Sequence, residues 1–285
     1  MSPDSKGPHV SIILSACTSA DGLPATLESI LNQTYPDFEL IVVDDGSTES
    51  TREVLALWTD PRVVIISHPG KSGVARACNA GICAARGELI GFISCGDEWD
   101  RRKLEEQVTA FSRLPGEYGA VYSDVWEITP AGTRAYWHSP EITGPELLNS
   151  YATDYQAATL GIGPLLVRRS FLNMAGLFDE QLPCFSDTDM IIRLQRWCRF
   201  HHVRKPLYHS RSREALAASP FERSISRLLL MEKNPETLEN PVFLTHQLNM
   251  IRRNLCGARE GCPVITGRVT REPEHGQIRE PVPYL

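Results

Sequence analysis

Two periods alternate along the first part of the chain. Val10–Ala16 (VSIILSA) is a short apolar run with β-branched residues, the pattern of a strand buried on both faces. Leu23, Leu27, Ile30 and Leu31 then recur at helical spacing, with Ser19 or Asp21 available as N-cap. Phe38–Asp44 reads as a second buried strand, and a turn rich in capping residues, Asp45–Thr51, leads into a helix over Arg52–Trp58. Val63–Ser67 is a third strand, Val74–Ala85 an Ala-rich helix, Leu89–Ser94 a fourth strand and Arg101–Leu114 the helix after it. Short loops between alternating strands and helices predict right-handed parallel crossovers and a doubly wound sheet with helices on both faces. Ligands of such sheets bind outside the carboxyl ends of the strands. Three of those ends, Ala16-Cys17-Thr18, Asp44-Asp45 and Ser94–Asp97, are therefore expected at one mouth.

From about Ala120 the pattern changes. Ala120–Ile128 alternates like a strand, and Arg134–His138 reads as its hairpin return across a Pro130-Ala-Gly132 turn. Pro164–Arg168 is another strand and Ser170–Ala175 a short helix. Asp187–Trp197 is helical, with Met190, Ile191, Leu194 and Trp197 on one face. Two further helices are expected over Phe221–Lys233 and Pro241–Asn254, and from Gly257 the composition is that of a loose tail.

Composition narrows the classes without naming a function. Of 285 residues, 42% are hydrophobic and 22% charged, with 20 Gly and 20 Pro, which excludes collagen-like and wholly disordered chains. A net charge of −6 with no long run of like charge gives no support for nucleic-acid capture. The apolar runs fall far short of the roughly 18 residues of a membrane span. MSPDSKGPHV lacks the apolar core of a signal peptide, so a soluble cytoplasmic protein is expected. The 8 cysteines form no C-x-x-C pair; several, such as Cys83 and Cys95, sit in apolar runs as small buried hydrophobes. Cys256 and Cys262 are the one pair placed for a disulfide.

VSIIL at 10–14 and LESILNQTYPDFELIVVDDGSTEST at 27–51 resemble the start of a family-2 glycosyltransferase of the GT-A fold. Further matches follow in order: Gly73 with Asn79-Ala-Gly81, Ala85-Arg-Gly-Glu88, Gly91–Trp99, Val121-Tyr-Ser-Asp124, Gly176-Leu-Phe-Asp-Glu180 and Asp187 through Arg193. The resemblance covers residues 9–210. It implies inverting transfer of a sugar from a nucleotide-sugar donor, usually UDP-linked, to a hydroxyl acceptor such as a polysaccharide, lipid-linked sugar or small metabolite.

By this resemblance Asp45 contacts the nucleoside base, although an Asp after a strand also serves as an ordinary cap of the following helix. At the mouth of the first strand the family's aromatic is replaced: Ser15 can donate a hydrogen bond and Cys17 can touch a base without stacking on it. Arg76 and Asn79 are expected beside the nucleotide; the Arg that many relatives carry just before that Asn is Cys78 here. The family's D-x-D metal motif reads Ser94-Cys95-Gly96-Asp97, leaving Asp97, with Glu98 beside it, as the carboxylate for Mg²⁺ or Mn²⁺. Two alternatives stand beside it: neutralisation of the diphosphate by Arg76, Lys71, Arg101 or Arg102, or no metal and no catalysis. Asp187 falls at the position of the general base, with Ser186 replacing an acidic neighbour and Asp189 facing inward or pairing with Arg193.

The expectation is thus a GT-A-like domain over 1–215, a helical extension over 216–256 and a flexible tail over 257–285. The rival is a catalytically inactive relative that keeps the fold as a nucleotide-binding or protein-interaction module. A nucleotidyltransferase is disfavoured, because Ala16–Gly22 contains no Lys or Arg.

Overall fold

The computed structural model describes residues 9–16, 22–128, 134–137, 139, 161–211 and 219–256. Among these, the chain runs β1 (Val10–Ala16), α1 (Leu23–Leu31), β2 (Phe38–Asp45), α2 (Glu49–Ala56), β3 (Val63–His68), α3 (Val74–Ala84), β4 (Leu89–Ser94), β5 (Glu98–Trp99), α4 (Lys103–Arg113), β6 (Tyr118–Ile128) and β7 (Arg134–Trp137). It continues through β8 (Leu166–Arg168), α5 (Arg169–Ala175), α6 (Ser186–Gln195), β9 (Arg199–Arg211), α7 (Pro220–Lys233), a 3-10 turn (Pro235–Glu239) and α8 (Pro241–Cys256).

The strands form one sheet in the order β3-β2-β1-β4-β8-β6-β9-β5, with β7 on β6. β1 to β4 are parallel as predicted, β8 runs antiparallel between β4 and β6, and β9 lies parallel to β6. The alternation within β1 divides the core. Ile13 packs with Ile41, Phe92, the α3 residues Ala77 and Ile82, and Met190, Leu230 and Phe243 of the later helices. Ile12 and Leu14 face the other side, with Leu27 of α1, Leu55 of α2 and Leu104 of α4. Each such side chain, fully buried, contributes about 1.5–3 kcal/mol.

Several boundaries move. α2 begins at Glu49 rather than Arg52, and α1 is preceded by Gly22 at φ 84° with no side-chain cap; Ser19 and Asp21 lie outside the described residues. His201–Arg211, to which the sequence pattern assigns no element, is most of the 13-residue strand β9. Cys83 is exposed, while Cys78 and Cys95 are buried. Cys262 and the tail lie outside the described residues. No described helix is long and apolar enough to cross a membrane.

Lys103 opens α4 with no exposed surface. Its ammonium donates to Gln107 Oε1 at 2.6 Å and sits 4.3 Å from the Trp99 ring centroid, and among the described residues it has no carboxylate partner. Burial pushes it down to about 7. The unfolded chain therefore binds the extra proton between about pH 7 and 10, and stability rises with pH across that window, by up to about 1.4 kcal/mol per unit. Lys103→Met is expected to remove this rise and to be the more stable protein at pH 7, by urea unfolding at pH 7, 8 and 9. Parallel slopes for both proteins would refute it.

Candidate functional site

The register brings the strand ends together: Ser15 lies opposite Val43 and Ser94, Ala16 opposite Asp44, and Asp45 opposite His68. Cys17 lies outside the described residues. The two aspartates have separate partners. Asp44 accepts from the Ser47 N–H at 2.9 Å and from the Ser47 hydroxyl, which makes it the cap of the turn before α2. Asp45 reaches across to the loop before α3. It accepts from the N–H groups of Ser72 at 2.9 Å and Gly73 at 2.7 Å, from the Ser72 hydroxyl, and stands 3.2 Å from His68 Nδ1. Burial alone would raise its pKa, but these hydrogen bonds outweigh it and hold the carboxyl below its ordinary value. Asp45 is thus no cap of the helix that follows it; it ties down the next loop.

Asn79 is also committed. Its amide oxygen accepts from Phe178 N–H at 2.8 Å, and its amide nitrogen donates to Phe178 O and Glu180 Oε1, both at 2.9 Å. The side chain is a clamp on residues 178–180. Arg76 is exposed on α3, on a face away from Val74, Ala75 and Cys78, which line a cavity of about 360 Å³. Ser15, buried at the end of β1, does not line it.

The cavity lies between α3, the end of β4, β6, β9 and the start of α6. Asp187 enters it from the first turn of α6, where the helix dipole favours negative charge. The preceding Phe185 is the one non-glycine residue at positive φ among those described, at 64°, and turns the chain sharply into the helix. Asp187 Oδ1 accepts from Thr188 N–H at 2.8 Å, yet burial dominates and raises the carboxyl above its ordinary pKa. Cys78 shares the wall; burial first, then the Asp187 charge, pushes its thiol up to about 12, so it is a neutral wall residue.

Asp97 reaches the same cavity with both carboxylate oxygens engaged. Tyr208 Oη donates to Oδ2 at 2.6 Å and Arg211 N–H to Oδ1 at 3.0 Å. Glu98 pairs with the Arg211 guanidinium at 2.5 Å. Ser94 and Gly96 add no charge. Among the described residues no three His, Cys, Asp or Glu side chains are placed to hold a metal ion. Of Ser94–Asp97 only Asp97 carries a carboxylate, and β9 already bonds to both of its oxygens, a poor donor set for a divalent cation.

Glu127 and Tyr208 also line the cavity, as do Gly161–Pro164 and Phe178. Sequence reading placed none of them in the site. A signal existed at Gly161-Ile-Gly163: a Cβ on Gly163 would stand 2.5 Å from the Tyr208 ring, so only glycine lets the two meet. His202 packs against Asp124, Nε2 to Oδ1 2.8 Å, and stacks on Tyr122. Asp124 also accepts from Tyr136 Oη at 2.8 Å and from Ser139 N–H at 2.9 Å, which ties β6 to β7 and to Ser139.

The sequence matches the family model of Glycosyl transferase family 2 over residues 11–173. It is 29% identical over 222 residues to the O-antigen biosynthesis protein RfbC of Myxococcus xanthus, covering 75% of this chain and 17% of that one. A 99-residue stretch, 35% of this chain and 39% of the relative, is 36% identical to the UDP-Glc:alpha-D-GlcNAc-diphosphoundecaprenol beta-1,3-glucosyltransferase WfaP of Escherichia coli. The chain thus spans less than half the length of either relative. Its fold is similar to S. aureus TarS 1-349 in complex with UDP-GlcNAc (TM-score 0.66, 18% identity, 86% of this chain and 71% of that one). It is also similar to the mannosyltransferase PcManGT from Pyrobaculum calidifontis in complex with GDP-Man and Mn²⁺ (TM-score 0.61, 18% identity, 89% and 76% covered).

Proposed function

Since the chain belongs to glycosyl transferase family 2, we propose that it moves a sugar from a nucleotide-sugar donor, UDP-linked by preference, to a hydroxyl of a saccharide or lipid-linked sugar, with inversion. The observation that carries this reading is Asp187: a carboxylate projecting into a cavity, fixed at a helix N-terminus and raised in pKa by burial. A base raised towards the working pH suits general-base catalysis. The acceptor hydroxyl oxygen attacks the anomeric carbon as Asp187 takes its proton, and the bond from that carbon to the leaving phosphate oxygen breaks.

The remaining residues have supporting parts. Asp45 serves the nucleoside by exchanging its Ser72 and Gly73 donors for the imide N–H of a base, and Ser15 stands at the same mouth. Asn79 holds the Phe178 wall of the cavity. The names of the relatives support UDP as nucleotide and a diphosphoundecaprenol-linked sugar as a class of acceptor. No step runs through a metal ion.

Thermal unfolding with UDP, GDP and dTDP tests the donor half. A nucleotide at 100 times its Kd adds about 2.7 kcal/mol and moves the midpoint by several degrees. UDP is expected to give the largest shift. No shift with any of the three would favour the inactive relative that serves as a protein-interaction module, a reading that draws on the neutral Ser94 and Gly96.

A further inference from the structure

We infer that this site handles its donor without a divalent cation, and that Asp97 acts instead as a positioning residue that fixes Tyr208 and the end of β9. The inference rests on the donor-site reading above.

Mg²⁺ and Mn²⁺ need negatively charged oxygens turned towards a shared point, with water completing the shell. At the end of β4 the positions facing the cavity are Ser94 and Asp97. The Ser94 hydroxyl carries no charge. Asp97 accepts a hydrogen bond from the Tyr208 hydroxyl on one oxygen and from the Arg211 N–H on the other, so β9 fixes its orientation, while Glu127 and Asp187, the other carboxylates of the lining, stand on β6 and α6. Glu98, the next carboxylate, turns to Arg211, whose positive charge beside the site opposes a second cation. Between them Gly96 stands at φ 92°, a backbone conformation that an L side chain rarely adopts. Gly22 packs on it so closely that a Cβ there would lie 2.9 Å from Gly96 Cα. A carboxylate-bearing residue at 96 would have to adopt that left-handed φ and would be strained.

What Asp97 does hold is the cavity wall. Tyr208 is buried with its hydroxyl on Asp97 and its ring against Gly163, so the length of that hydrogen bond sets where the ring stands. The charge of a diphosphate then falls to cationic side chains outside the cavity lining. Lys71 is one of several described cations, exposed and with its backbone packed on Gly46 next to Asp45. Nucleotide affinity is accordingly expected to weaken as salt is added.

The test uses the full chain with UDP, with Mn²⁺ alone, and with both. The expected result has two parts. UDP raises the unfolding midpoint equally in EDTA and in Mn²⁺, and the Mn²⁺ electron paramagnetic resonance signal matches a protein-free Mn²⁺–UDP control. Asp97→Asn and Tyr208→Phe are each expected to weaken UDP-sugar affinity several-fold. The double variant should then be no weaker than the worse single one, the mark of residues acting as a unit. A UDP shift that requires Mn²⁺, or protein-immobilised Mn²⁺ that Asp97→Asn releases while Tyr208→Phe does not, would overturn the inference and leave the transferase reading intact. Additive effects of the two substitutions would overturn the positioning role. If no nucleotide binds under any condition, the donor reading falls and takes this inference with it, an outcome distinct from a UDP shift that requires Mn²⁺.

Discussion

Asp187→Asn is expected to lower turnover, followed as UDP release, by about 10²–10⁴-fold while UDP affinity stays within a factor of a few. The amide keeps the size of the carboxyl and its bond from Thr188, but cannot take the acceptor's proton. The pH profile supplies a second reading of the same group. A base works only when deprotonated, so the rate climbs as pH rises through the Asp187 pKa. Burial places that climb above the ordinary carboxylate value of about 4, and the Asn variant should lack it. Stability moves the other way. A carboxyl whose folded pKa exceeds its unfolded one binds more protons when folded, so stability falls as pH rises between the two values. Asparagine escapes that fall, and the variant should melt no lower than the wild type at neutral pH. Retained turnover would remove Asp187 from the mechanism; loss of UDP binding would mean that it holds the site rather than working in it.

The parts of this molecule legible in its sequence are those set by near neighbours. In β1, Ile12, Ile13 and Leu14 announce a strand buried on both faces, and the structure sends them to opposite cores. β9 was hidden because His201, His202, Lys205 and Pro206 carry no strand alternation; its partner β6 lies far back in the chain, and the pairing slips next to Pro206. The site divides along the same line. Asp187 is recognisable from a local motif, whereas the commitments of Asp45, Asn79 and Asp97 depend on partners 27, 99 and 111 residues away. Nothing in Asp97-Glu98-Trp99 alone distinguishes a carboxylate waiting for a cation from one already held by a tyrosine. That distinction belongs to tertiary structure, and it changes the chemistry assigned to the motif.

Asp189, two residues beyond Asp187, carries the largest stability effect expected. It is 1% exposed, accepts from Arg193 Nε at 2.8 Å and from Asn234 Nδ2 at 3.0 Å, and so joins α6 to the turn that follows α7. The same arginine reaches Ala175 O at 2.5 Å and Leu177 O at 3.0 Å, tying the end of α5 and the approach to the cavity into one knot. Removing one partner of such a pair leaves the other charge largely buried. Asp189→Ala is expected to cost roughly 3–5 kcal/mol and to lower the melting midpoint by on the order of ten degrees. A double variant, Asp189→Ala with Arg193→Leu, should recover much of that loss, since the stranded charge goes with its partner. A loss under about 1 kcal/mol for Asp189→Ala would show that the three carbonyls around Arg193 suffice without the carboxylate. The contrast with Asp187→Asn is what assigns the two acids: two residues apart on one helix, one substitution should remove rate and keep the fold. The other should weaken the fold, and turnover should fall with it only as α6 carries Asp187 out of place.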